Sequence, residues 1–287
     1  MHMRSPWWWA VVLWVVAGLA LAAEGGGEPQ VEAGMLVSGR IVVGPDGKPS
    51  EYQLKDPDRL PAGVRRFLDL HIPRWQFEPP MLEGRAVALD NLMDIHLRAV
   101  PEGEGMRLEL GSVSFRPAAR DTEYELRRRR LIPPEYPRAA LAAGDGVGAV
   151  VYVALRIGPD GKVVEAVDEQ VNLHFIPDAG SEGKWRDLFA RNALRAARAW
   201  TFQPPTRGEL AGLPYWRLRV PVHYIPSALP GAGDQYGKWQ AYVVGPWRQV
   251  DWFGEADVRQ PLESLAGNTL HVADAPGQLK LVAQAGG

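Results

Sequence analysis

The chain has 287 residues, with 32 lysines and arginines against 34 aspartates and glutamates, a formal net charge of −2. So even a balance gives no electrostatic reason for a nucleic-acid partner. No cysteine is present, which excludes a disulfide framework and leaves packed apolar cores as the source of stability.

Residues 1–6 carry one charge, Arg4, and residues 7–23 carry none, ending in Ala20-Leu21-Ala22-Ala23. A basic start, an apolar stretch and a small-residue exit predict a secretory signal peptide over residues 1–23. The other reading is an uncleaved anchor, since this run lies at the short end of a membrane span. No cysteine stands at the exit, so a lipoprotein anchor is excluded. The expected location is the periplasm, or the inner membrane with a periplasmic domain if the segment is retained. The remainder, with seven tryptophans, suffices for two small domains.

The first folded elements centre on Gly44-Pro45-Asp46-Gly47-Lys48, where Pro presets φ and Gly accepts a left-handed conformation, predicting a hairpin turn. Val64, Leu68, Ile72 and Trp75 share one helical face. Pro73 is expected to end that helix a turn early, by clashing with the carbonyl of Asp69. The motif Trp75-x-Phe77-x-Pro79-Pro80 follows, then a strand through Met93, Ile95, Leu97 and Ala99. Residues 106–115 read as a further strand.

Arg127, Arg128, Arg129 and Arg130 form the one dense charge run. Either it is a solvated segment balanced by Glu123 and Glu125, or it contacts anionic envelope polymers such as lipopolysaccharide phosphates. Residues 147–157 and 163–171 are predicted strands around Gly158-Pro159-Asp160-Gly161-Lys162. A helix follows, with Trp185, Leu188, Phe189, Ala193, Ala196, Ala197 and Trp200 on one face and Arg186, Asp187, Arg191, Arg195 and Arg198 on the other. It stops before Pro204-Pro205 in Trp200-x-Phe202-x-Pro204-Pro205. A half-buried strand is predicted next, with Trp216, Leu218, Val220, Val222 and Tyr224 inside and Arg217, Arg219, Pro221 and His223 outside.

Two blocks therefore occur twice in the same order, which marks an internal duplication. An offset of 125 superposes residues 64–99 on the second copy without gaps, whereas the turns differ by 114. The 11 extra residues of the second copy are assigned to the loop at 172–183.

Pro134-Glu135-Tyr136-Pro137-x-x-Ala140, Gly144, the Gly-Pro-Asp-Gly hairpin, the Ala-rich helix, Trp-x-Phe-x-Pro and the strand Val220-Pro221-Val222 stand in an order that resembles the C-terminal domain of TonB-type energy transducers. The resemblance covers about residues 133–226, with a degenerate copy at about 35–100 that lacks the Tyr-Pro helix. It implies an α+β fold of two tandem domains, each a small antiparallel sheet with helix packed on one face. It further implies binding of an extended segment of an outer-membrane receptor or other envelope protein by strand addition, in TonB-dependent outer-membrane transport. Residues 7–23 contain no histidine, no proline-rich spacer follows, and Pro133 stands where that family has glutamine, so the resemblance supports peptide binding rather than proton-driven coupling.

The expected division is 1–23 signal peptide or anchor, 24–116 degenerate repeat, 117–132 basic linker, 133–226 complete repeat and 227–287 C-terminal extension. The expected peptide-binding edge is Arg217, Leu218, Arg219, Val220, Val222 and His223. Pro221 either tunes that edge or guards it against unwanted pairing. His96 holds the equivalent place in the first copy. Residues 106–115 or 239–244 would close these edges if they pair with the sheet. Tyr136 and Pro137 either touch the ligand or pack the helix start onto the sheet. No catalytic motif occurs, and His71, His96, His174, His223 and His271 lack metal-ligand spacing, so no enzyme activity, cofactor or metal is expected. An anchored atypical transducer and an envelope scaffold using the arginine run are the alternative functions. Association with the inner membrane is a further partner reading if the N-terminal segment is retained, and a homodimer is another.

Overall fold

The computed structural model describes residues 31–82, 84–103, 105–118, 123–144, 146–225, 236–253, 262–265, 270–273 and 278–283. The export-signal expectation at 1–23 lies outside them. Among the described residues no helix is long and apolar enough to cross a membrane.

The strands in chain order are β1 (Val31–Val43), β2 (Pro49–Leu54), β3 (Gln76–Phe77), β4 (Met81–Leu82), β5 (Arg85–Ala86), β6 (Leu89–Glu102), β7 (Gly105–Pro117), β8 (Arg127–Arg130) and β9 (Ala149–Ile157). They continue with β10 (Val163–Leu173), β11 (Thr201–Gln203), β12 (Trp216–Tyr224), β13 (Gln240–Val243), β14 (His271–Val272) and β15 (Leu281–Ala283). The helices are α1 (Ala62–His71), α2 (Arg138–Ala142) and α3 (Glu182–Ala197).

The fold is α+β and sheet-rich. One nine-stranded antiparallel sheet runs β14-β12-β9-β10-β13-β1-β6-β7, with β2 also on β1. Both duplicated stretches have the same connections: hairpin β1–β2, helix α1, then β6 on the other side of β1; hairpin β9–β10, helix α3, then β12 on the other side of β9. The expectation of two separate small sheets needs correction. β13 pairs with β1 on one side and touches β10 on the other, so both sets of strands lie in one sheet.

Each repeat builds its core where the sequence pattern places apolar side chains. Val64, Leu68, Ile72 and Trp75 are buried with Val37, Ile41, Met93, Ile95 and Leu97. Their counterparts Phe189, Ala193, Ala197 and Trp200 are buried with Val151, Val153, Leu155, Leu218 and Val220. A fully buried aliphatic or Phe side chain contributes about 1.5–3 kcal/mol, against tenths of a kcal/mol per residue from helix propensity. Burial of one face therefore decides where α1 and α3 form.

Three local expectations change. α1 ends at His71 and continues as a 3-10 turn over Ile72–Arg74. Pro73 thus sits in a tighter turn whose geometry does not need its missing N–H, and the helix is not cut a full turn short. The 11 extra residues do not collect in the 172–183 loop: β10 has eleven residues against six in β2, and α3 starts five positions earlier in the repeat. Finally, Val43 faces Leu89 in the first copy, whereas Ile157 faces Trp216 in the second, two positions beyond the equivalent residue. A two-residue slip keeps every side chain on its original face, so the apolar pattern is the same in either register.

The C-terminal extension does not trail from the fold. Leu262 and Leu265 cover Val150 and Tyr152, and Val250 and Phe253 cover Ala154 on the sheet face away from α3. β9 is consequently buried along nearly its whole length.

Candidate functional site

β12 pairs with β9 from Trp216↔Ile157 to Tyr224↔Ala149. The amide of Ala273 donates to the carbonyl of Arg217 at 2.9 Å, so the backbone groups of Arg217, Arg219, Pro221 and His223 point away from β9, as alternation requires. β14 occupies the first half of this edge, with Leu218↔Val272 and Arg219↔His271. The Arg217–Arg219 half of the expected peptide edge is therefore already paired within the chain. Pro221 offers no donor beyond it.

The side chains of this edge also differ from the half-buried expectation. Arg219 donates to Glu169 through Nε at 2.6 Å and Nη2 at 2.8 Å, and its guanidinium lies 4.0 Å from the ring centre of Phe253. Arg217 donates to the carbonyl of Trp252. Leu218, Val220 and Val222 belong to the core. Of the six residues, His223 alone is exposed. Arg186, read as part of the solvent face of α3, reaches the carbonyls of Val171 and Val244.

The equivalent edge in the first copy, on β6, is covered along its length by β7, with His96 opposite Ser112. His96 is buried, and burial, assisted by the positive charge of Arg98, holds its imidazole pKa down at about 4. Its Nε2 lies 3.3 Å from the hydroxyl of Tyr242, which donates to Glu32 at 2.9 Å. Burial, followed by the charge of Glu32, raises the pKa of Tyr242. This polar knot joins β13 to the β1–β6 pair.

Covering β6 leaves the outer side of β7 as the end of the sheet. Glu102↔Gly105 brackets a two-residue turn and is the hydrogen-bonded closing pair of the β6–β7 hairpin. Alternation then turns the N–H and C=O groups of Met106, Leu108 and Leu110 outward. The register shift opposite His96/Leu97 resets the phase, so Val113 and Phe115 point outward beyond it. In agreement, the carbonyl of Phe115 accepts from Gln278 Nε2 at 2.9 Å, on the side away from β6. From Met106 to Val113 no strand among the described residues pairs with this side. Sequence reasoning treated residues 106–115 as a cover for another edge. It missed that the covering strand must present an edge of its own.

Tyr136 donates to the carbonyl of Val147, and its ring meets Phe189 and Tyr224 edge-on. Pro137 is buried at the start of α2. Both pack the helix start onto the sheet, Tyr136 remaining partly exposed.

Arg127–Arg130 forms β8 and pairs with β11, leaving all four side chains exposed. Nearby, Glu123 pairs with Arg207 at 3.2 Å. Side chains two apart on a strand are separated by roughly 6.8 Å. Each same-face arginine pair then repels by about 0.6 kcal/mol in water. Among the described residues no cluster of three or more His, Asp or Glu side chains is arranged to hold a metal ion.

The chain matches no family model, no curated protein and no solved structure.

Proposed function

We propose that this is a non-catalytic envelope protein that binds an extended partner segment by adding it as a strand to the outer edge of β7. The observation that carries the reading is a thirteen-residue strand whose outer side, from Met106 to Val113, pairs with no strand among the described residues. Main-chain pairing supplies the affinity in such complexes, and side-chain neighbours on the edge supply the selectivity. Arg107, flanked by Glu102 and Glu109, is the charged neighbour that an added strand meets. In this reading the chain is a tandem of TonB C-terminal-like units exported to the periplasm, with the segment of an outer-membrane receptor as partner. The shared hairpin, helix and strand connections of the two copies support the tandem.

The test is an NMR titration of the isotope-labelled protein with ten-residue peptides taken from periplasm-facing receptor segments. Amide shifts concentrated at 106–113 are the expected result. Shifts confined to 216–224 would move the site to β12 and require β14 to leave. Absence of localised shifts on either strand would remove strand addition as the function.

A further inference from the structure

The arginine strip has properties that strand addition at β7 does not use. β8 is held at three points. The carbonyl of Glu123 accepts from the amides of Thr206 at 2.8 Å and Arg207 at 2.9 Å, and the ring of Tyr124 lies over Gly208. The strand itself pairs with Thr201, Phe202 and Gln203. At its far end the indole of Trp200 donates to the carbonyl of Ile132 at 2.8 Å. The four guanidinium groups are thus displayed on a fixed backbone rather than on a loose tail, and no described carboxylate forms an ion pair with any of them.

The two ends of the strip carry apolar side chains turned to solvent. Tyr124 is 45% exposed and Ile132 is 49% exposed. An amphipathic ring and an aliphatic side chain flanking a basic stretch are the residue types that settle at the boundary between lipid headgroups and acyl chains. A soluble polyanion would use the guanidinium groups and leave these two side chains in water.

We infer that Tyr124, Arg127–Arg130 and Ile132 form a docking surface for the phosphate-bearing headgroups of an anionic membrane. Strand alternation presents two of the arginines to the membrane; these contact the phosphates through charge-assisted hydrogen bonds, and Tyr124 and Ile132 insert at the headgroup level. The site is separate from the β7 edge, so failure of either proposal leaves the other intact.

The experiment is flotation of the full-length protein with vesicles of pure phosphatidylcholine and with vesicles containing phosphatidylglycerol. The N-terminal stretch, with its single charge at Arg4, is the same in the parent and in a variant lacking the four arginines, so the change in the ratio of bound fractions between them isolates the part that the four arginines supply. A basic residue close to an anionic leaflet strengthens attachment about fivefold. Two arginines on the facing side predict a preference of about 25-fold for the anionic vesicles at low salt, fading as salt is raised. Changing all four arginines to glutamine is expected to lower the ratio by about that factor, whereas four lysines keep most of it. Unchanged preference in the glutamine variant would overturn the proposal. So would a wild-type protein that binds polyphosphate but does not distinguish the two vesicles. If the glutamine variant does not fold, the wild-type salt series decides alone: a ratio of one at low salt rejects the surface.

Discussion

The amide of Phe202 donates to the carbonyl of Gly161 at 2.7 Å, and Phe77 repeats the bond to Gly47 at 2.8 Å. The two sequence blocks that occur twice are therefore in contact in each copy, the turn of the hairpin closing on the residue that follows the helix. Both glycines have positive φ, 77° at Gly47 and 74° at Gly161. A Cβ on either would run into the carbonyl oxygen of the partnering phenylalanine. Gly161→Ala and Gly47→Ala should each cost at least about 1–3 kcal/mol, from left-handed strain and from displacement of the strand after the helix. Urea midpoints of the two variants check this, and a loss below 0.5 kcal/mol, on the order of an ordinary surface substitution, would contradict it.

The Arg219–Glu169 pair is 4% and 1% exposed at its side chains and lies beneath Phe253. Removing one partner strands a buried charge, which costs about 3–5 kcal/mol. Glu169→Ala should therefore unfold at markedly lower urea. The double change Glu169→Leu with Arg219→Met should recover most of the loss, because two apolar side chains of similar length leave no charge to desolvate. A double variant no more stable than the single one would show that the ion pair itself, rather than the space it fills, holds the extension on the sheet.

Burial keeps His96 neutral down to about pH 4, whereas the unfolded chain protonates it near pH 6.5. The unfolded state thus binds more protons between these values, so stability falls as pH drops from about 6.5 to about 4 and the contribution levels off below. The size is up to about 3 kcal/mol. Asp94, its pKa raised by burial against the pull of Ser38 and Arg116, works in the opposite direction. The informative quantity is therefore the difference between parent and His96→Gln. Chemical unfolding across this pH range should show a shallower acid slope in the variant.

Leu108→Pro removes an N–H that points away from β6. On an edge strand proline is tolerated when the lost donor faces outward, so the thermal midpoint should change by only a few degrees. Binding of an added strand should weaken at least about tenfold, the equivalent of one lost hydrogen bond of about 1.4 kcal/mol. Arg107→Pro, whose N–H faces β6, should destabilise the hairpin instead. Equal binding losses with equal stability losses in both variants would argue against an open β7 edge. Thermal melts and peptide-binding isotherms on the same samples separate these outcomes.

The sequence by itself determined the local units. Gly-Pro-Asp-Gly specifies its turn through the φ preferences of two residues, and the spacing of Val64, Leu68, Ile72 and Trp75, or of Phe189, Ala193, Ala197 and Trp200, specifies which helix face is buried. Repetition of both blocks specified that two such units exist. The charge run Arg127–Arg130 was legible as a run, but its place on a strand paired with β11 was not, because that pairing is made with residues more than seventy positions away. The strands that flank each unit were placed only in three dimensions. β13 and β14 pair across long stretches of chain, and main-chain hydrogen bonds carry no side-chain signature that names their partner. The apolar pattern has period two, so it cannot distinguish the register Val43↔Leu89 from its two-residue slip in the second copy. The charge on Arg219 likewise read as a solvent face, because its partner Glu169 lies fifty residues away. Which edges of the sheet are closed and which remains open is a count of strands, and that count exists only in the assembled fold.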